Sequence, residues 1–135
     1  MNLNDPKYLF RVTQKALIKK EDKFLVLKRA MNEKSFPGLW DLPGGRLEHG
    51  ENLTESLIRE VKEETNFEIK VLDIIFAFSS EVKNGFGTYI VYDSKVLSGE
   101  VKLFEGDHLE YKWVTKEELK EFEVTPVLKY WLENY

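Results

Sequence analysis

Gly44-Gly45-Arg46-Leu47-Glu48-His49-Gly50-Glu51 opens a stretch that continues through Arg59-Glu60-Val61-Lys62-Glu63-Glu64 to Asn66. It starts as a glycine-rich loop and ends as a helix loaded with carboxylates. Asn52 is a good N-cap for that helix, and Glu55, three residues later, completes a capping-box-like pair. Thr54, Leu57, Ile58, Val61 and Thr65 form one stripe at helical spacing. Glu60, Glu63 and Glu64 share a face beside that stripe, at the edge of the packed interface, where a cleft can form. Like charges at that spacing cost ~0.2–0.5 kcal/mol per pair, and a divalent cation between them reverses the sign. Asn66 suits the helix end, because Asn tolerates the left-handed cap conformation better than any residue except Gly.

Upstream, Tyr8 to Ile18 reads as a strand, Lys19-Lys20-Glu21-Asp22 as a polar turn, and Lys23 to Leu27 as a second strand. Together they suggest a hairpin without the Asn-Gly or Asp-Gly signal. Ala30 to Gly38 is a loop, and Leu39-Trp40-Asp41-Leu42 is a short extended piece ending at Pro43. Downstream, Phe67 to Phe78 and Phe86 to Leu97 read as strands joined by a turn at Asn84-Gly85. Glu100 to Phe104 is a further short strand, Glu105 to His108 a loop, and Leu109 to Val114 the last strand. Thr115 with Glu118 starts a short helix, and Thr125-Pro126 opens a C-terminal helix to Tyr135. This order of elements gives an α/β class, a mixed β-sheet with helices on its faces.

The 135 residues fit one domain, 1–135, large enough to bury a core. A net charge of -4 gives no global attraction to a nucleic-acid polymer or an anionic membrane. The absence of cysteine excludes disulfides, thiol catalysis and cysteine-based zinc sites. There is no basic leader followed by an apolar core, and no apolar run long enough to cross a bilayer. The expectation is a soluble, cytoplasmic protein, monomer or homodimer.

As a spacing, the central stretch is Gly45, five residues, Glu51, seven residues, then Arg59-Glu60-Val61-Lys62-Glu63-Glu64-Thr65-Asn66-Phe67. It resembles the Nudix box, G-x5-E-x7-R-E-U-x-E-E-x-G-U, in which U is a bulky apolar residue. Every charged position matches, and Asn66 in place of Gly is the single departure. Pro37 to Gly44 is similar to the segment that leads into the box in MutT-like members. Nine constrained positions, eight of them matched, make this far more specific than a lone G-x-G-x-x-G.

The resemblance implies a Nudix-type α/β/α sandwich and a hydrolase that cleaves a nucleoside diphosphate linked to a moiety X, using Mg²⁺ or Mn²⁺. It implies Glu60 and Glu64 as direct metal ligands, Glu63 as a ligand or a water-mediated one, and the Gly44 carbonyl completing the shell. Arg59 and Glu51 would pair with each other or with Glu63 and orient the carboxylates. The general base varies in this family: Glu110 in the late segment is favoured, as base or extra ligand, with Glu63 or Glu60 as the alternative. Arg29 is the best phosphate-binding candidate among Arg11, Lys28 and Arg29. Gly45 lies in the loop facing the substrate, and Phe36 and Phe86 flank loops where either could stack on a base. His49 reads as a surface residue; so does His108, with a catalytic role as the alternative because it stands in the late loop with Glu105, Asp107 and Glu110; Trp40, Phe76, Phe78 and Tyr89 read as core.

The partner implied is a small nucleotide. The proline of ADP-ribose hydrolases, about sixteen residues past the box, would fall near Lys83, where none stands. The tyrosine of dinucleoside polyphosphate hydrolases would fall at Asn84, and the NADH-type Ser-Gln-Pro-Trp is absent. Elimination leaves a (d)NTP pyrophosphohydrolase of the MutT-like type. The alternatives are an ADP-ribose or nucleotide-sugar diphosphatase and a non-catalytic nucleotide-sensing module.

Overall fold

A computed structural model describes residues 10–82, 85–104, 106 and 108–135. The predicted positions Tyr8, Asn84, Glu105 and Asp107 lie outside the described residues. In chain order the elements are β1 (Phe10–Lys20), β2 (Lys23–Arg29), β3 (Trp40–Asp41), β4 (Gly44–Arg46), α1 (Leu53–Thr65), β5 (Glu68–Val82), β6 (Gly85–Ser98), β7 (His108–Val114), α2 (Lys116–Leu119) and α3 (Pro126–Asn134). The strands form one sheet with a main path β3-β2-β1-β6-β5, with β4 added to β1 and β7 to β2. The β1–β6 pair is parallel and the other strand pairs are antiparallel, so the sheet is mixed.

Side-chain alternation along β1 separates the two faces. Leu17 enters a cluster with Val26, Trp40, Leu42, Phe76, Val91, Leu128 and Trp131, which packs under α2 and α3. Its neighbours Ala16 and Ile18 enter the opposite cluster with Leu25, Leu27, Leu57, Val61 and Phe67, under α1. The result is the α/β/α sandwich, and it follows from period-two patterning in strands whose two faces are both covered.

The helix signals act locally. Asn52 caps α1 by accepting from the Glu55 backbone N–H, and Asn66 closes it at φ 71. Thr115 and Glu118 form a complete, reciprocal capping box at α2. Thr125 precedes α3, but its hydroxyl makes no cap bond.

Several expectations need correction. Thr54 is exposed, and Ser56 takes its place on the buried face of α1. The segment 101–104 forms no strand; the Lys102 N–H donates to the Thr65 carbonyl while Val101 and Leu103 pack on the α1-side core. β5 runs four residues beyond Phe78, to Val82. The supposed loop at Gly44 to Arg46 is a short strand, paired through Thr13 with Arg46 and Lys15 with Gly44. The β1–β2 hairpin forms without its favoured turn residues because Glu21 adopts φ 59.

Candidate active site

β4 is where the sheet meets α1. Gly44 has φ 144, and a Cβ there would lie 2.0 Å from the Gln14 carbonyl oxygen, so only glycine lets β4 approach β1 this closely. A Cβ on Gly45 would lie 2.7 Å from the Glu60 carboxyl carbon, so this glycine makes room for a carboxylate. The Gly44 N–H donates to Glu64 Oε1 at 3.1 Å. Glu60 and Glu64, one turn apart on α1, are thus both brought to the Gly44-Gly45 backbone.

Arg59 holds the rest of the cluster. Its Nε and one terminal nitrogen donate to Glu51 Oε2 at 3.2 and 2.8 Å. The other terminal nitrogen donates to both oxygens of Glu63 at 3.1 and 3.2 Å. Arg59 also reaches Glu60 Oε1 at 3.3 Å. Glu51 Oε1 accepts from the Glu48 N–H and from the Ser56 hydroxyl. That backbone bond, then Arg59, holds the Glu51 carboxyl below its ordinary range, and the same pairing, led by Glu51, raises the guanidinium.

The other two carboxyls shift the opposite way. Burial raises Glu60, opposed chiefly by Arg59. Burial pushes Glu64 up to about 8, opposed by Lys15 and by the Gly44 N–H and reinforced by Glu60. Buried oxygen ligands that resist ionisation fit a hard divalent cation, which supplies the missing positive charge. Glu64 meets that requirement, and the half-buried Glu60 meets it in part. Glu63 is exposed and turned to Arg59, and no three acidic or histidine side chains converge on one point among the described residues.

Beside β4 opens a cavity of about 730 Å³, a size suited to a small-molecule ligand. Arg11, Lys15, Arg29, Lys34 and Arg46 line it, against Asp41, Glu48 and Glu81. The predicted Arg29, Phe36, Gly44 and Gly45 all border this cavity. Phe36 stands there at φ 51, a conformation unfavourable for a bulky side chain. Phe86 does not border it; its ring packs edge-on against Phe10 at 6.3 Å. Glu110 projects from β7 opposite Lys28 with an exposed side chain, and it is not among the cavity walls.

Further residues reach the site. His108 is no surface residue: its side chain is 9% exposed and its Nε2 lies 3.3 Å from Glu64 Oε2. Tyr89, read as core, is half-buried and borders the cavity, stacked on Phe78 at 5.1 Å. Lys15 and Asp41 form a buried ion pair of 2.9 Å at the cavity wall. The one sequence signal for that pair was a lysine inside an apolar strand, which period-two alternation places on the Leu17 side of the sheet.

A carboxylate helix clamped by Arg59, meeting the Gly44-Gly45 backbone that borders a cation-lined cavity, is the equipment of a hydrolase acting on phosphorus-containing anhydrides. The chain belongs to the Nudix family: the family model described as NUDIX domain matches residues 9–135. Nudix hydrolases generally use divalent metal ions. The chain is 29% identical over 119 residues to the nucleoside triphosphatase NudI of Escherichia coli O139:H28, covering 80% of this chain and 84% of that one. Among solved structures it is similar to the MutT protein of Methanosarcina mazei Go1, at 33% identity and TM-score 0.83, covering 92% and 91% of the two chains. A UDP-X diphosphatase shares the fold at 22% identity and TM-score 0.73, covering 93% of this chain and 62% of that one.

Proposed function

We propose that this protein is a Mg²⁺- or Mn²⁺-dependent pyrophosphohydrolase that cleaves a nucleoside or deoxynucleoside triphosphate to the monophosphate and pyrophosphate. The observation that carries this reading is the position of the Glu60–Glu64 pair, which meets the Gly44-Gly45 backbone where that backbone borders the cation-lined cavity. The kinship with a nucleoside triphosphatase supports the substrate class.

Glu60, Glu64 and the Gly44 carbonyl would hold the cation, and Glu63 would contribute through water. The cation supplies charge neutralisation at the phosphate oxygens and activation of water, the two things phosphoryl transfer most needs. Glu51 and Arg59 fix the carboxylates in place. Arg29 faces the phosphate chain, and Phe36 offers a ring to the base. Glu60, Glu63 and Glu110 are the acceptors available for the proton of the attacking water.

The test is a substrate panel with Mg²⁺ and with Mn²⁺, containing the nucleoside triphosphates and their deoxy forms, ADP-ribose and nucleotide sugars. The expected products are a nucleoside monophosphate and pyrophosphate. Preferred turnover of ADP-ribose or a nucleotide sugar would replace the triphosphate assignment. Nucleotide binding with no turnover by folded protein would make the chain a sensing module.

A further inference from the structure

Lys15 is out of place in the middle of a strand. Its neighbours Gln14 and Ala16 face α1, while Lys15 points to the other side and borders the cavity with its side chain 7% exposed. Its Nζ lies 2.9 Å from Asp41 Oδ2. The same oxygen lies 3.6 Å from an Arg29 nitrogen, so one carboxylate serves two cations. Asp41 Oδ1 is committed elsewhere, accepting from the Leu42 N–H at 2.8 Å and the Thr125 hydroxyl at 2.9 Å. Thr125 makes that bond in place of capping α3.

Two physical consequences follow. A buried ion pair is a weak device for stability, and an apolar pair of similar volume folds as well or better. The Lys15–Asp41 pair therefore needs another reason to exist. Second, an ammonium has three N–H donors and no acceptor, and Asp41 is its one ion-pair partner among the described residues. With Asp41 so fully committed, the Lys15–Asp41–Arg29 group offers hydrogen-bond donors to a ligand and hardly any acceptor.

Building on the nucleotide-hydrolase reading of the same cavity, we infer that Lys15 is a specificity-determining, substrate-binding residue that donates to an oxygen acceptor of the bound nucleotide, with Asp41 and Thr125 as positioning residues. In a purine nucleotide two strong acceptors carry no proton of their own: the oxygens of the phosphate chain and the carbonyl of a 6-oxopurine.

The test measures binding by calorimetry in Mg²⁺, using inorganic tripolyphosphate and the α,β-methylene analogues of ATP and GTP. The proteins are wild type, Lys15→Met, Lys15→Arg and the double variant Lys15→Met/Asp41→Asn, which leaves no orphan carboxylate. Circular dichroism checks that each is folded. If the phosphate chain is the partner, Lys15→Met and the double variant weaken all three probes at least tenfold, and Lys15→Arg restores much of the loss. If the base carbonyl is the partner, only the GTP analogue weakens, and tripolyphosphate and the ATP analogue bind as before. Unchanged binding of all three probes to the folded variants overturns the inference. Lys15-dependent binding by a wild type that turns over no substrate sinks the hydrolase reading and leaves this one standing.

Discussion

His108 Nε2 stands 3.3 Å from Glu64 Oε2, while the Gly44 N–H donates to the other oxygen of the same carboxyl. Glu64 is thus held between the first residue of β7 and the backbone of β4. Burial dominates its titration and carries it from 4.5 to about 8. In metal-free protein the folded state then binds more protons than the unfolded chain between those values. Stability from this group is fully present below pH 4.5 and is lost as pH rises toward 8, by on the order of a few kcal/mol. Urea midpoints measured in EDTA across that range should fall with pH, and added Mg²⁺ should flatten the trend. Midpoints insensitive to pH in EDTA would contradict the burial of this carboxyl.

Glu64→Gln separates stability from activity. The amide keeps an acceptor for the Gly44 N–H and removes the costly charge. Metal-free protein at pH 8 should melt at a higher temperature than wild type. Hydrolysis should drop on the order of 100-fold or more, because the metal contributes several kcal/mol of transition-state stabilisation. Full activity in this variant would remove Glu64 from the metal site.

The two glycines of β4 should respond differently to alanine. At Gly44 the new Cβ meets backbone at 2.0 and 2.8 Å, which a flexible side chain cannot relieve. A loss of roughly 2–4 kcal/mol is expected in denaturant titration. At Gly45 the clash is with the end of the Glu60 side chain, which can swing away. Gly45→Ala should melt close to wild type and lose activity at least tenfold. Equal stability losses in the two variants would contradict this geometry.

Arg59→Lys keeps the charge and loses the fork. Arg59 makes two bonds to Glu51 and two to Glu63, a pattern that one ammonium cannot reproduce. Turnover should fall roughly 10–100-fold, with a matching loss in metal affinity. Metal titration of activity checks this, and wild-type behaviour would show that the bidentate contacts have no functional role.

Asn66→Gly tests the one departure from the family pattern. Asn66 adopts φ 71, and its amide also donates to the Glu100 carbonyl at 3.2 Å. Relief of the left-handed backbone and loss of that exposed bond should nearly cancel, leaving stability within ~0.5 kcal/mol of wild type. Asn66→Ala has no such compensation and should cost ~1 kcal/mol or more. Chemical denaturation of the pair decides it.

Local chemistry made most of the fold legible. The caps of α1 and α2 are bonds between residues three apart, so they can be read from a short window. The contacts of Glu51 and Glu63 with Arg59 likewise lie within one turn or one loop-to-helix step. Lys15, Asp41 and Thr125, and the contact of His108 with Glu64, escaped because the partners are distant in the chain; Thr125 and Asp41 are 84 residues apart. Only the sheet order brings them together: β2 lies between β1 and β3 and also pairs with β7, and Trp40 bridges Val124 beside Thr125. The Glu100–Phe104 segment misled for the opposite reason: its apolar residues pack on the α1 side without joining a ladder.

β1 serves two masters at single-residue spacing. Lys15 borders the cavity, whereas its neighbour Gln14 reaches the other way and donates to the Leu53 carbonyl at the start of α1. A slip of one position would exchange the cavity-facing cation for the amide that tethers the helix. Insertions and deletions should therefore be purged from this strand, whatever their cost in bulk hydrophobicity. The connection from 31 to 36 is mostly exposed and can change length far more freely. Length changes that reshape what the cavity accepts are therefore expected in such loops, whereas a shift in the register of β1 would disturb both faces of the sheet at once.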